Sequence, residues 1–154
     1  MPDRETIMAE LGRHGLHYEQ TVHIHNAFCP KGHQLILDAN AKFDGLPGVK
    51  LLMRDKKRKE IVFISPVLNN RQRTGGSMFV VGDRLEVLCP VCEVAMPVLA
   101  PCDCQWNGEY VMLSLGENPA RKHAVCICTV WGCPNGDIRL AGEVVTNYQS
   151  NYAL

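Results

Sequence analysis

Residues 89–133 read CPVCEVAMPVLAPCDCQWNGEYVMLSLGENPARKHAVCICTVWGC, and seven of the chain's eight cysteines fall inside them. They come as Cys89-x-x-Cys92, Cys102-x-Cys104 and Cys126-x-Cys128, with Cys133 just beyond. The eighth, Cys29, sits far upstream, but Cys29-Pro30-Lys31-Gly32 and Cys133-Pro134-Asn135-Gly136 repeat the Cys-Pro opening of Cys89-Pro90. A turn of this kind lets backbone N–H groups point at a thiolate. Four such thiolates, brought together, close a tetrahedral shell around Zn2+.

Two four-ligand sets follow from the spacing. Cys89 and Cys92 supply one pair, and the best complement is Cys29 with His33, whose gap across a glycine turn lets an imidazole reach the same ion. The remaining five thiols compete for four places. In a strand, residues two apart share a face, so each Cys-x-Cys can present both sulfurs together. Cys133 lies in a knuckle-type turn, which ranks Cys102, Cys104, Cys128 and Cys133 first. Cys126 is then the spare, a possible substitute ligand but otherwise a small buried hydrophobe. About two zinc ions per chain are expected. An iron–sulfur cluster is the alternative cofactor, since it also takes four cysteine ligands, but the compact cysteine run typical of ferredoxins is missing.

The knuckles resemble those of zinc-ribbon proteins, a likeness confined to short turns that implies no particular activity. A thioredoxin-type dithiol is disfavoured, because strand-like residues flank Cys89–Cys92 on both sides where that motif needs a helix N-terminus.

Outward from the cysteines, the chain reads as β-rich α+β. Asp3 caps a short expected helix over residues 4–12. Strands are expected over 18–25, 34–38, 49–54, 60–65, 78–81, 84–88, 94–100, 109–115, 122–131 and 137–145, mostly as antiparallel hairpins. Residues 69–76 read as an exposed polar loop, and the final TNYQSNYAL as a loose tail. A single domain over 1–154 is the simplest division. A mixed β part (1–85) and a cysteine-rich part (86–145) form the possible subdivision. Cys29 ties the two together if it shares an ion with Cys89. Trp106 and Trp131 are placed beside the cysteine-rich site as shields from water.

Formal net charge is zero, so no global field drives the chain to nucleic acid or an anionic membrane. Residues 42–73 nevertheless hold nine Lys/Arg against three Asp/Glu. Lys56, Lys57, Arg58 and Lys59, with Arg71 and Arg73, therefore form a candidate nucleic-acid contact, the default being a solvated hairpin tip. A protein is the expected partner, with no membrane association. The N-terminus lacks the apolar core of a signal peptide, which points to the cytoplasm, where thiols stay reduced and are better explained by metal than by disulfides.

Gly-rich phosphate loops, nucleophile elbows and dinucleotide fingerprints are not found in the sequence. His23 and His25 share a strand face and can seat an open metal site, with His14, His17 and His123 as further candidates. This is the enzyme alternative, but no His-Glu-x-x-His motif supports it. A redox or cluster-carrying accessory role is a third reading. Closed zinc sites leave no position for substrate, so the expectation leans to structural zinc in a macromolecule-binding adaptor over an enzyme.

Overall fold

The computed structural model describes residues 16–18, 22–36, 42–43, 45–67, 72–118, 123–140 and 143–148. Among these described residues thirteen strands appear, all paired antiparallel. The expected helix over residues 4–12 lies outside the described residues.

A five-stranded sheet runs in chain order: β9 (Val98–Pro101), β10 (Glu109–Ser114), β11 (Ala124–Cys128), β12 (Gly136–Leu140) and β13 (Glu143–Tyr148). A four-stranded sheet is built from β5 (Val49–Arg54), β6 (Lys59–Ile64), β7 (Arg73–Thr74) and β8 (Glu86–Leu88), in the order β7-β6-β5-β8. Two small hairpins complete the pattern. One pairs β1 (Leu16–Tyr18) with β2 (Val22–Ile24); the other pairs β3 (Lys42–Phe43) with β4 (Leu46–Pro47).

Alternation along the strands makes the core. Val49, Leu51 and Met53 of β5 and Val62 and Val87 of its neighbours join Val111, Leu113, Val125, Ile138 and Leu140 of the five-stranded sheet in one apolar cluster. Fully burying one such side chain contributes about 1.5–3 kcal/mol. Cys29 and Cys89 belong to the same cluster, so the knuckles grow directly out of the core. β10 and β11 are buried on both faces. Met112, Ala124 and Cys126 point away from the main core into a second, smaller cluster with Leu99 and Tyr110.

The two sheets are stitched at one corner. Residues 82–85 pair with 129–131: Leu85 N–H donates to Thr129 O, Trp131 N–H to Asp83 O and Gly82 N–H to Trp131 O. These bonds overturn the expected 78–88 hairpin. Only Glu86–Leu88 forms a strand, and residues before it turn outward to meet Trp131. The expected strand over 137–145 is two strands, β12 and β13, paired with each other. Residues 146–148 of the expected loose tail belong to β13. Arg73 and Thr74, expected in a loop, pair with β6. Residues 35–36 lie outside any named strand, although Gln34 bridges Phe28.

Candidate metal centres

Each knuckle sits at the tip of a tight antiparallel return, which is why its donors converge. In the first, Leu35 N–H donates to Ala27 O and Cys29 N–H to His33 O, so the chain reverses around Cys29–His33. Gly32 takes a φ of 90°, a conformation that disfavours a side chain. Gln34 locks this return. Its Oε1 accepts from Ala27 N–H at 3.0 Å and Ile36 N–H at 3.1 Å, and its Nε2 donates to Asn26 Oδ1 at 3.0 Å. Phe28 then exchanges two backbone hydrogen bonds with Ser114 of β10.

The second knuckle extends β8. Cys89 N–H donates to Val94 O and Met96 N–H to Val87 O, and the turn ends on Glu93 in the left-handed region at φ 58°. The two returns face each other. Cys29 Sγ lies 3.3 Å from His33 Nδ1 and 3.9 Å from Cys92 Sγ, and Cys89 Sγ lies 3.9 Å from His33 Nδ1.

The other centre follows from sheet topology. In an antiparallel meander the β9–β10 and β11–β12 connections emerge at the same end. The first connection holds Cys102 and Cys104, with Cys102 N–H donating to Gly108 O. The second runs from Cys128 to Cys133. Cys104 and Cys128 lie 3.9 Å apart, as do Cys102 and Cys133. The Cys102-x-Cys104 pair is presented by a turn, not by a strand face as the spacing suggested, since β9 ends at Pro101. Cys126, two residues farther into the sheet than Cys128, stays out of the centre and is fully buried. Burial and the nearby Asp137 carboxylate push its thiol up to about 12.

Within each set of four, the donor atoms all lie within 4.8 Å of one another: Cys29, His33, Cys89 and Cys92 in one, Cys102, Cys104, Cys128 and Cys133 in the other. All eight cysteines are free thiols. The sulfurs are dressed for negative charge. Backbone N–H groups of Lys31 and His33 donate to Cys29, of Val91 to Cys89, of Gly108 to Cys104 and of Val130 to Cys128, at 3.3–3.5 Å. The Asn135 side chain donates to Cys102 at 3.4 Å.

Neighbouring thiols are driven in opposite directions. The Val94 N–H holds Cys92 down to about 7, while burial raises Cys89. The Cys128 thiol holds Cys133 down to about 6; Cys128 itself is raised by hydrogen bonding to Cys133 and by burial. Crowded sulfurs cannot all be anionic unless a cation shares the space.

Two supporting residues were not assigned to this centre from the sequence. Gly108 is one: a Cβ there would collide with the Cys128 sulfur and lie 2.7 Å from Val130 Cγ2. Tyr110 is another, its hydroxyl raised by burial and by Cys102 beside it. The tryptophans divide. Trp106 lies in the Cys104 turn and faces Gly82, whereas Trp131 packs on Phe79 with ring centres 5.3 Å apart and under the Arg73 guanidinium at 3.7 Å.

The basic hairpin tip is interleaved with acids. Arg54 pairs with Glu86 at 3.1 Å, Lys59 with Glu93 at 3.2 Å, and Arg58 with Asp55 at 3.5 Å and Asp83 at 4.0 Å. Lys56 and Lys57 are exposed; Arg71 lies outside the described residues. No helix among the described residues is long and apolar enough to cross a membrane. Comparison of the chain with protein-family models, curated proteins and solved structures found no match.

Proposed function

We propose that this protein is a zinc-stapled adaptor, holding one mononuclear Zn2+ in each of its two four-residue sets and presenting a surface to a protein partner. The observation that carries this reading is the packing of four donor atoms within 4.8 Å, twice. A tetrahedral zinc with Zn–S near 2.3 Å sets its sulfurs about 3.8 Å apart. The sulfur pairs at 3.9 Å match that spacing. A disulfide needs about 2 Å. A cubane iron–sulfur cluster, with one thiolate on each iron, needs its sulfurs much farther apart. Four protein donors also close the shell, which makes each ion structural.

Elemental analysis of the purified chain is expected to give two zinc per chain and an anaerobic spectrum without visible absorption. Acid-labile sulfide, or less than one metal per chain, overturns the reading.

Two observations support protein over nucleic acid as the partner. Arg58 and Lys59 of the hairpin tip, and Arg54 beside it, are already matched by carboxylates. Met78, Val80 and Val81, at 58%, 63% and 51% exposure, are apolar side chains close together in sequence, and Val81 lies against Gly132, the neighbour of Cys133. A gel-shift titration at low salt is expected to show no complex with RNA or DNA. A complex abolished by Lys56→Ser with Lys57→Ser would reverse this choice of partner.

A further inference from the structure

The two centres differ in how well their sulfurs are shielded. In the first, Cys29 and Cys89 are buried, the fourth donor is an imidazole, and the half-buried cysteine is Cys92. In the second, Cys104, Cys128 and Cys133 are all half-buried. Cys104 stands between exposed Asp103 and exposed Gln105, in a part of the fold that solvent reaches. Its sulfur lies 3.9 Å from that of Cys128, at the end of β11. A disulfide closes such a gap to about 2 Å. Thiol oxidation follows thiolate character and exposure, and it stays reversible where a second thiol is poised to resolve the first product. Cys102 and Cys133 are also 3.9 Å apart, but Cys102 is buried and receives the Asn135 side chain.

The segment from Cys128 to Cys133 does more than supply donors. Thr129 O and Trp131 O accept from the N–H groups of Leu85 and Gly82, and Trp131 N–H donates to Asp83 O. Val81 lies against Gly132, and Phe79 packs on Trp131. The loop that exposes Met78, Val80 and Val81 is therefore seated on a segment with a donor of the second centre at each end.

We propose that the second centre is a reversible oxidation site, in which a peroxide joins Cys104 to Cys128 and thereby loosens the corner that seats the 78–81 loop. The inference deepens the zinc-stapled reading and rests on it for the ion, while the thiol chemistry rests on the sulfur positions. Cys104 Sγ, as thiolate, attacks one oxygen of hydrogen peroxide; the O–O bond breaks and hydroxide leaves, giving a sulfenic acid. Cys128 Sγ then attacks that sulfur, the S–O bond breaks and a second hydroxide leaves. Two thiolates thus give up two electrons, and the peroxide becomes two waters on taking two protons from solvent. Two of four donors are lost, and an ion left with Cys102 and Cys133 is no longer held in a closed shell.

The test uses the full chain as purified, with its zinc measured first. On titration with hydrogen peroxide, a chromogenic chelator is expected to register one zinc per chain in a phase at least roughly tenfold faster than the next. Peptide mapping after alkylation should then find Cys104 joined to Cys128, with Cys29, Cys89 and Cys92 still reduced. Dithiothreitol with added zinc should restore the ion, and Cys126→Ala, outside both sets, should leave the release unchanged. Hydrogen exchange at the Gly82, Leu85 and Trp131 amides should quicken about tenfold, while Leu51 and Val62 in β5 and β6 stay protected. Both ions leaving together, a different first disulfide, or release with sulfinic acid and no disulfide overturns the site. Unchanged exchange at residues 82–85 overturns the link to the loop. A chain that purifies without zinc overturns the zinc reading instead. The reduced metal-free chain should still yield Cys104–Cys128 first, and any other first pair would overturn the oxidation site there too.

Discussion

At the scale of single residues, the two centres depend as much on small supporting groups as on their donors. Gly108 is required by space: any side chain there meets the Cys128 sulfur and Val130. Gly108→Ala is therefore expected to lose one zinc equivalent while the Cys29 set keeps its own, as read by metal analysis. A variant with two ions would show that the β9–β10 turn can shift aside. Cys126 makes the opposite case. It is fully buried among Met112 and Ala124 and sits outside both sets of four. Cys126→Ala should cost only about 1 kcal/mol in a denaturant titration and keep both ions. Losing an ion in that variant would return Cys126 to the ligand set. Its place outside both groups was legible because Cys133 lies in a knuckle turn and Cys126 does not. The closeness of Gly108 to Cys128 was not legible, since it depends on β10 and β11 lying side by side.

Among elements, the hairpins do the positioning. The β5–β6 connection shows how local its logic is. Asp55 Oδ1 accepts from Lys57 N–H at 2.8 Å and Arg58 N–H at 2.9 Å, forming an Asx-type turn that sets the strand register. The Lys57 N–H holds its carboxyl below the usual carboxylate range. A depressed carboxyl stabilises the fold above its unfolded value and loses that contribution as pH falls through its folded value. Asp55→Ala should thus lower Tm at neutral pH, and the gap from the parent should close in acid. A constant gap across the titration would assign the loss to something other than the ionised turn. The strands of this hairpin were legible from their apolar alternation. The 78–88 segment was misjudged for a physical reason. Met78, Val80 and Val81 are as apolar as a strand, but the backbone at 82–85 finds its partners at 129–131, which no local pattern announces.

For the whole molecule, the first centre ties together segments far apart in sequence. Cys29 and His33 come from a return anchored on Gln34 and Ser114, and Cys89 and Cys92 from the end of β8. Because structural zinc supplies folding energy outright, Cys92→Ser should remove one ion and lower Tm by about 10 °C or more. Excess chelator should abolish the near-UV circular dichroism of the parent. Native stability in the metal-stripped chain would show that the apolar core alone suffices.

The sequence by itself singled out the two sets of four residues that the fold groups within 4.8 Å. Cys-Pro knuckles, their spacing and the His33 gap are local properties, and local backbone geometry is enough to aim a sulfur. Strand alternation likewise announced β5, β6, β10 and β11, because burial repeats with the pleat. The tertiary structure alone decided which knuckle faces which. Pairing Cys29 with Cys92, and Cys104 with Cys128, depends on strand order and on connections emerging at the same end of a sheet. It alone decided, too, that β12 and β13 are separate strands and that Trp131 joins the core. These are contacts between residues distant along the chain, and their free energy depends on packing that no short window of sequence contains.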